Sequence, residues 1–254
     1  MSDGADACSV TGTLVGGPTL VFTFAGLRVI TDPTFSPPGE YGNLTKLSGP
    51  ALPIQRLGAL DLALVSHDHH PDNLDAEGRA VLSQVPVVLT TSAGATRVPG
   101  TVGLEPWTSV AVGDATVTAV PALHGPEGVA EHTGPVLGFV LEAHGWPTVY
   151  FSGDNSEVSA AAEIAAAFPD VGVAILCAGA ARVANRGPEP LTLDAERMAK
   201  VAQLWPEAAI VPVHIDDWAH FSEPRDALLA NWSGASDRLT VLEPGVTQPL
   251  TRLA

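Results

Sequence analysis

The sequence predicts an α+β protein built as a four-layer αββα sandwich of two similar halves, a single domain over residues 1–254. Three observations lead there. Short apolar, β-branched runs followed by helix-strand alternation occur twice along the chain. The runs at residues 171–177 and 209–213 are apolar throughout, as expected of strands covered on both faces. Two sheets packed face to face, each with helices outside, bury every apolar face that this order of elements creates.

The elements come in order. Residues 12–15, 20–24, 28–31 and 62–66 read as strands separated by Gly, Pro and Asp turns. Residues 32–53, rich in Pro and Gly, read as a long loop, either a wall of a site or a plain connection. Residues 74–84 read as a helix, 86–90 and 116–120 as strands. Residues 136–143 and 148–152 pair across the turn His144-Gly145-Trp146-Pro147. An alanine-rich helix at 157–168 precedes the buried strand 171–177, and a helix at 193–204 ends at Trp205-Pro206 before the strand 209–213. A helix at 224–231 and a last strand at 238–242 complete the chain, with the halves dividing near Gly134.

Composition narrows the function. With 46% hydrophobic and 16% charged residues, the chain can bury enough apolar surface to offset the entropy of ordering. The net charge is −16, with lysine only at positions 46 and 200, so no basic surface exists to displace counterions from a nucleic acid. The same field repels anionic membranes, and no apolar stretch is long enough to span a bilayer. The opening MSDGADACSV is polar and acidic, without the basic and apolar regions of a secretory signal. The two cysteines, Cys8 and Cys177, make no disulfide framework. The expectation is a cytoplasmic protein acting on a small molecule, with neither nucleic-acid nor membrane partner; oligomeric state is left open.

The chemistry is concentrated at strand ends. Behind the apolar Leu62-Ala63-Leu64-Val65-Ser66 comes His67-Asp68-His69-His70-Pro71-Asp72-Asn73-Leu74-Asp75. Neutral imidazole and carboxylate are ligands for zinc and related metals, and a turn after a strand lets several of them converge. Three other strand ends share the habit: His124 after Val120-Pro121-Ala122-Leu123, Asp154 after Val149-Tyr150-Phe151-Ser152-Gly153, and His214 after Ile210-Val211-Pro212-Val213. One strand-end histidine alone is usually structural; four such ends in one chain point to a metal site.

The order of histidine cluster, His124, Ser152-Gly153-Asp154 and His214 resembles the metallo-β-lactamase superfamily over nearly the whole chain, the opening half being most similar to its ascorbate-6-phosphate lactonase-like and phospholipase D-like branch. The resemblance implies a metallo-hydrolase. The family's usual cluster is His-x-His-x-Asp-His, whose first two histidines join the counterpart of His124 on one metal. Its Asp-His pair joins the counterpart of His214 on a second metal, and the counterpart of Asp154 bridges the two. This chain departs from that pattern. An ungapped match keeps His67 and His69 but puts Pro71 and Asp72 at the Asp-His pair. A one-residue insertion instead aligns Asp72-Asn73-Leu74-Asp75 with Asp-His-Leu-Asp, makes His69 or His70 the second histidine, and puts Asn73 where an imidazole is expected. The insertion keeps the carboxylate and the residues after it in step.

The implied metal ligands are therefore His67, His69, His70, Asp72, His124, Asp154 and His214, holding one or two zinc ions, with iron or manganese also suited to the set. A metal-bound hydroxide oriented by Asp72, which also serves as catalytic base, would hydrolyse an ester, lactone, amide or phosphodiester. The alternative is a degenerate relative with an altered or single-metal site that binds a ligand or partner. Arg182 and Arg186 are candidates for binding an anionic substrate group, and Trp218, His220 and Phe221 for lining the pocket mouth, with His220 a reserve ligand. Asp68 is placed either to hold an imidazole or at the surface, and Asp75 to cap the following helix. Cys177, inside an apolar run, reads as an inert buried thiol. Glu131 and His132 are given no role.

Overall fold

A computed structural model describes residues 9–126, 128–129, 133–184 and 186–251; Cys8, Glu131 and His132 lie outside the described residues. The chain opens on three antiparallel strands, β1 (Thr11–Gly16), β2 (Thr19–Phe24) and β3 (Leu27–Thr31). A two-residue turn at Ala25-Gly26 joins the last pair, with φ positive at both positions (49° and 78°) as a right-twisted hairpin requires. A small hairpin, β4 (Gly39–Tyr41) and β5 (Leu44–Lys46), interrupts the expected loop. Then β6 (Leu62–Leu64), β7 (Val87–Thr91) and β8 (Val102–Leu104) extend the first sheet in parallel. Helix α1 (Ala76–Leu82) connects β6 to β7, and the short α2 (Ser92–Ala95) connects β7 to β8.

The second sheet repeats the plan. Strands β9 (Ser109–Val112), β10 (Ala115–Ala122), β11 (Val136–Glu142) and β12 (Thr148–Phe151) are antiparallel neighbours. Strands β13 (Val171–Cys177) and β14 (Ala209–Val213) then add in parallel, through helices α3 (Val158–Ala167) and α4 (Ala195–Leu204). After α5 (Arg225–Asn231) the chain returns to the first sheet as β15 (Thr247–Pro249), antiparallel to β1.

Three apolar layers make this a four-layer sandwich. Phe22, Phe24, Leu62 and Leu89 meet Val117, Phe139, Phe151 and Val211 between the sheets. Val21, Ile30, Ala63 and Val88 face Val81 and Leu82 of α1 on one outside. Val140, Tyr150, Ala174 and Ile210 face Ala161, Ile164, Met198 and Val201 on the other. Strand β14 is buried at every position and β13 at all but one, which explains their unbroken apolar runs.

Two expectations are corrected. The strand at 238–242 is not formed: Leu239 makes one isolated bridge to Ile210, and Ser236–Arg238 is a 3-10 turn. The halves part between β8 and β9, ahead of Gly134, because β10 pairs with β9 and β11 and so belongs to the second sheet. No helix among the described residues is long and apolar enough to cross a membrane.

The parallel directions decide where chemistry collects. Strands β3 and β6 run together, as do β12, β13 and β14, and β10 runs with β12 because both are antiparallel to β11. Their carboxyl ends therefore open on one edge of each sheet, the usual place for ligands on such sheets. A backbone bond from Leu137 N to Ser66 O (3.0 Å) joins the two sheets there.

Candidate metal centre

Each candidate side chain sits just past a strand end. Ser66 and His67 follow β6, His124 follows β10, Asp154 follows β12 and His214 follows β14. Gly153 (φ 52°) makes the bend before Asp154; a Cβ there would lie 2.4 Å from Leu137 O and 2.8 Å from Ser66 Cβ. His214 adopts φ 57°, costly for a residue with a Cβ, and is fixed by its N–H to Gly17 O (2.8 Å). Asp75 caps α1 as expected, accepting from Gly78 N (2.7 Å), and also from the Phe35 and Ser36 amides (3.0 and 2.7 Å). That network ties the chain after β3 to the histidine loop.

The imidazole tautomers are set by their outer partners. Ser66 Oγ donates to Asp32 Oδ2 (2.7 Å), so it accepts from His67 Nδ1 (2.9 Å), and the lone pair of His67 is on Nε2. His124 Nδ1 donates to Leu191 O (2.7 Å), leaving its lone pair on Nε2 as well. His69 Nε2 donates to Thr133 O, leaving Nδ1. His67 Nε2 and His124 Nε2 both face His70 Nδ1, at 2.9 and 3.3 Å. One His70 nitrogen carries at most one proton, so it cannot satisfy both lone pairs. Burial, reinforced for His67 chiefly by its neighbour His70, holds the pKa of His67 well below the imidazole range. Burial likewise lowers His69 and lowers His70 to about 4. Neutral, converging imidazoles beside the Asp154 carboxylate are the donor set a divalent cation needs. One donor atom each from His67, His124 and Asp154, and one each from His67, His69 and His70, lie within 4.8 Å of one another.

On the other side of Asp154, His214 Nδ1 is 3.0 Å from Asp154 Oδ1 and His214 Nε2 is 3.5 Å from Asp72 Oδ2. His220 Nε2 donates to the same Asp72 oxygen (3.0 Å). Asp72 Oδ1, His214 Nε2 and His220 Nδ1 are buried without a hydrogen-bond partner, an unusual concentration of orphaned polar atoms. Burial opposes the ionisation of both carboxylates, yet His214 beside both of them, with His220 at Asp72 and His124 at Asp154, holds them well below the usual range. Burial also opposes the His214 imidazolium, but Asp154 raises its pKa well above the ordinary value.

Asn73 is tied to two carboxylates through its amide nitrogen. That nitrogen donates to Asp32 Oδ2 (3.2 Å) and Asp154 Oδ1 (3.1 Å), while its Oδ1 is buried without a hydrogen-bond partner, so only a carbonyl oxygen, a weaker donor to zinc than imidazole, is left. Asp32 is the residue that the sequence reading misses. It is fully buried, accepts from the Ser66 amide (2.6 Å), from Ser66 Oγ and from Asn73, and burial pushes its pKa up to about 7. Its only signal in sequence is the one shared with His67, Asp154 and His214: a polar residue directly after an apolar strand. Because Ser66 passes the constraint from Asp32 to the His67 ring, Ser66→Ala is expected to weaken cation affinity by about 10–100-fold while leaving far-UV circular dichroism unchanged. Competitive titration with a chelating dye checks this; unchanged affinity would remove Ser66 from the chain.

The remaining candidates separate. A cavity of about 520 Å³ opens over His69, His70, Asp72, His124 and His220, with Tyr41 to Leu44 from the β4–β5 hairpin and Arg186 on its walls. Arg182 is exposed, does not line this cavity but lines an adjoining one with Asn43, Leu44 and His220, and is bonded to Ser222 Oγ (3.0 Å) and to Pro188 O. Trp218 does not line this cavity. It is 2% exposed and packed behind the wall with Leu44, Ala181, Leu191 and Phe221, because its flank pairs with the hairpin through a bridge to Lys46. Asp68 holds no imidazole: Arg97 Nε (2.9 Å) and Arg79 (3.6 Å) claim its carboxylate and so anchor the loop. Cys177 ends β13 in the layer between the sheets, where burial pushes its thiol up to about 12.

Known proteins show the same architecture. The profile of the Beta-lactamase superfamily domain matches residues 27–215. A UPF0173 metal-dependent hydrolase of Anaeromyxobacter sp. (strain K) is 27% identical over 241 residues, covering 89% of this chain and 81% of that protein. Among solved structures, an isothiocyanate hydrolase from Delia radicum gut bacteria superposes with a TM-score of 0.82 at 20% identity, covering 96% of this chain and 100% of the other. A possible metal-dependent hydrolase from Veillonella parvula superposes with a TM-score of 0.83 at 20% identity over the same shares.

Proposed function

The chain belongs to the beta-lactamase superfamily and is a metal-dependent hydrolase of that fold, and we propose that it cleaves a small-molecule ester, lactone, amide or phosphodiester over the histidine cluster. The observation that carries this reading is the convergence of His67 Nε2 and His124 Nε2, lone pairs inward, on His70 Nδ1 beside Asp154, beneath a cavity lined by His70 and His124.

His67, His124 and Asp154 hold the cation, with His69 or His70 as a further donor. Zinc is the first choice for these nitrogen and oxygen donors, and iron or manganese also fit them. The cation, when bound, brings the pKa of water down to about 7 and polarises a carbonyl or phosphoryl oxygen. The protein does the rest. The outer bonds to Ser66, Leu191 and Thr133 keep three rings in the tautomer and orientation that expose their lone pairs. Asp72 is ionised at neutral pH, with one oxygen held by His220 and the other free, so it orients the attacking water by accepting its proton in a hydrogen bond. The −16 net charge repels polyanions, while a cavity of about 520 Å³ suits a small ligand.

Arg186 is the cation on the cavity wall and is our candidate for meeting an anionic group of the substrate. Arg186→Ala is expected to raise KM for an anionic substrate by at most about 1 kcal/mol equivalent, the ceiling for an exposed ion pair, with kcat nearly unchanged. Equal KM for both proteins would remove Arg186 from recognition.

Hydrolysis of a panel of esters, lactones, amides and phosphodiesters, before and after chelation and metal return, tests the reading. Turnover that needs a divalent cation is expected; turnover indifferent to chelation would defeat it. One observation favours a second reading, cation binding without turnover: an asparagine amide, Asn73, stands where the family resemblance places an imidazole.

A further inference from the structure

We infer that the substrate carries a compact aliphatic or aryl group on its reacting carbonyl carbon, held against a wall of Leu44, Ala181, Val183 and Leu191, which makes it a carboxylic ester, lactone or amide and not a phosphodiester. The inference rests on the hydrolytic reading of the histidine cluster and narrows it.

The wall is a separate piece of core. Leu44, Ala181 and Leu191 are 7%, 2% and 4% exposed and form a fourth apolar cluster with Trp218 and Phe221, apart from the three layers of the sandwich, and Val183 packs against it. All of them come from the β4–β5 hairpin and from the segments that follow β13 and β14, the same segments that enclose the cavity. Apolar side chains gathered around a catalytic cavity bury ligand surface there.

The wall begins beside a proposed ligand of the cation. Leu191 O accepts from His124 Nδ1 (2.7 Å), and Leu191 Cδ2 lies 2.9 Å from where a Cβ on Gly125 would sit. Its other end adjoins Asp72. Leu191 N donates to Ala181 O (2.7 Å), Arg182 N donates to His220 O (2.9 Å), and His220 Nε2 donates to Asp72 (3.0 Å). Thr45 O accepts from Ala219 N (3.0 Å), which fixes the neighbouring Leu44 to the same stretch. A substrate whose reacting centre lies between His124 and Asp72 therefore meets these side chains with the atoms bonded directly to that centre. In a carboxylic ester, lactone or amide one of those atoms is carbon, whereas in a phosphodiester all of them are oxygen.

Polar groups find few partners on this wall. The Tyr41 hydroxyl donates to Pro37 O (2.6 Å) and the Thr133 hydroxyl to His124 O (2.7 Å). Among the described lining residues, Asn43 and Arg186 are the remaining side-chain donors besides the histidines, and Asp72 is the only carboxylate. A sugar or nucleotide laid there gives up bonds to water without replacement, whereas each buried methylene strengthens binding by about fourfold.

Calorimetric titration of the zinc-loaded chain with acetohydroxamate, butyrohydroxamate and hexanohydroxamate tests the inference. The hydroxamate group binds the cation, and its alkyl chain takes the place of the acyl group. Affinity is expected to rise by about fourfold per added methylene. A terminal hydroxyl on the butyro chain is expected to reverse most of that gain. Leu44→Ala and Val183→Asp, both outside the three layers, are expected to retain zinc and to flatten the series. Equal affinity for all three chain lengths in the wild type, or an unchanged slope in both variants, would overturn the inference while leaving the cation site standing. Zinc-loaded protein that binds no hydroxamate at all would bring down the histidine-cluster reading, and this inference with it.

Discussion

Replacing His67 with alanine is expected to strip the cation from the histidine cluster and lower turnover by at least about 10²–10³-fold, the size of loss seen when a single preorganised stabiliser of the transition state is removed. His67 is fully buried, its Nδ1 is held by Ser66 and its Nε2 faces His70, so its loss removes a donor that is already oriented. The fold should survive, because the apolar layers do not depend on this ring. Losing one buried hydrogen-bonding group costs about 1–3 kcal/mol, which a domain of this size tolerates. His214→Ala is expected to give the same loss of activity through the Asp72–Asp154 side of the site. Elemental analysis with circular dichroism checks both variants; full metal content in either, with activity retained, would refute its assignment.

Gly153→Ala should do comparable damage without touching a donor atom. A Cβ at this position meets Leu137 O at 2.4 Å and Ser66 Cβ at 2.8 Å, and φ of 52° is strained for alanine. The αL conformation alone costs about 1–3 kcal/mol. The clash adds to this by forcing apart the Ser66 loop, which carries His67, and the bend that carries Asp154. A fall in Tm of about 5–10 °C is expected at roughly 2–4 °C per kcal/mol, together with weakened cation binding. Gly58→Ala is the control: its φ is 71°, but no atom lies within 4 Å of the added carbon, so it carries the backbone strain alone and leaves the site intact. Equal loss of cation affinity in the two variants would show that steric crowding at 153 is not what positions Asp154.

The legible parts of this fold are those with a strong local signal. Strands β13 and β14 are covered on both faces and so read as unbroken apolar runs. The four strand ends of the site are visible because each puts a histidine or aspartate where an apolar run stops. Strands β8, β9 and β15 and the β4–β5 hairpin have only three or four residues apiece, too few for periodicity to emerge from the surrounding loops. Sheet membership is a long-range property, and for that reason β10 reads as part of the wrong half: its own residues look the same on either sheet. Arg238–Leu242 has strand composition but finds a partner only at Ile210.

The same division holds at the site. Cys177 reads as a buried thiol and is one, but its nearness to Asp154 and His214 follows from register and not from composition. Trp218 reads as a mouth aromatic, yet pairing of its neighbourhood with Lys46 draws it behind the wall. Asp32 looks like the start of a loop, and its role through Ser66 depends on β3 and β6 lying side by side, which no local pattern states.

Metal content of the purified chain and of His67→Ala, measured in parallel after equilibration with zinc and removal of free ion, is the most direct test. Coordination by the side chains gathered at the sheet edge predicts at least one zinc per wild-type chain and none at the histidine cluster of the variant. A wild-type chain that stays folded yet retains no zinc, or a variant that retains as much as the wild type, would contradict it.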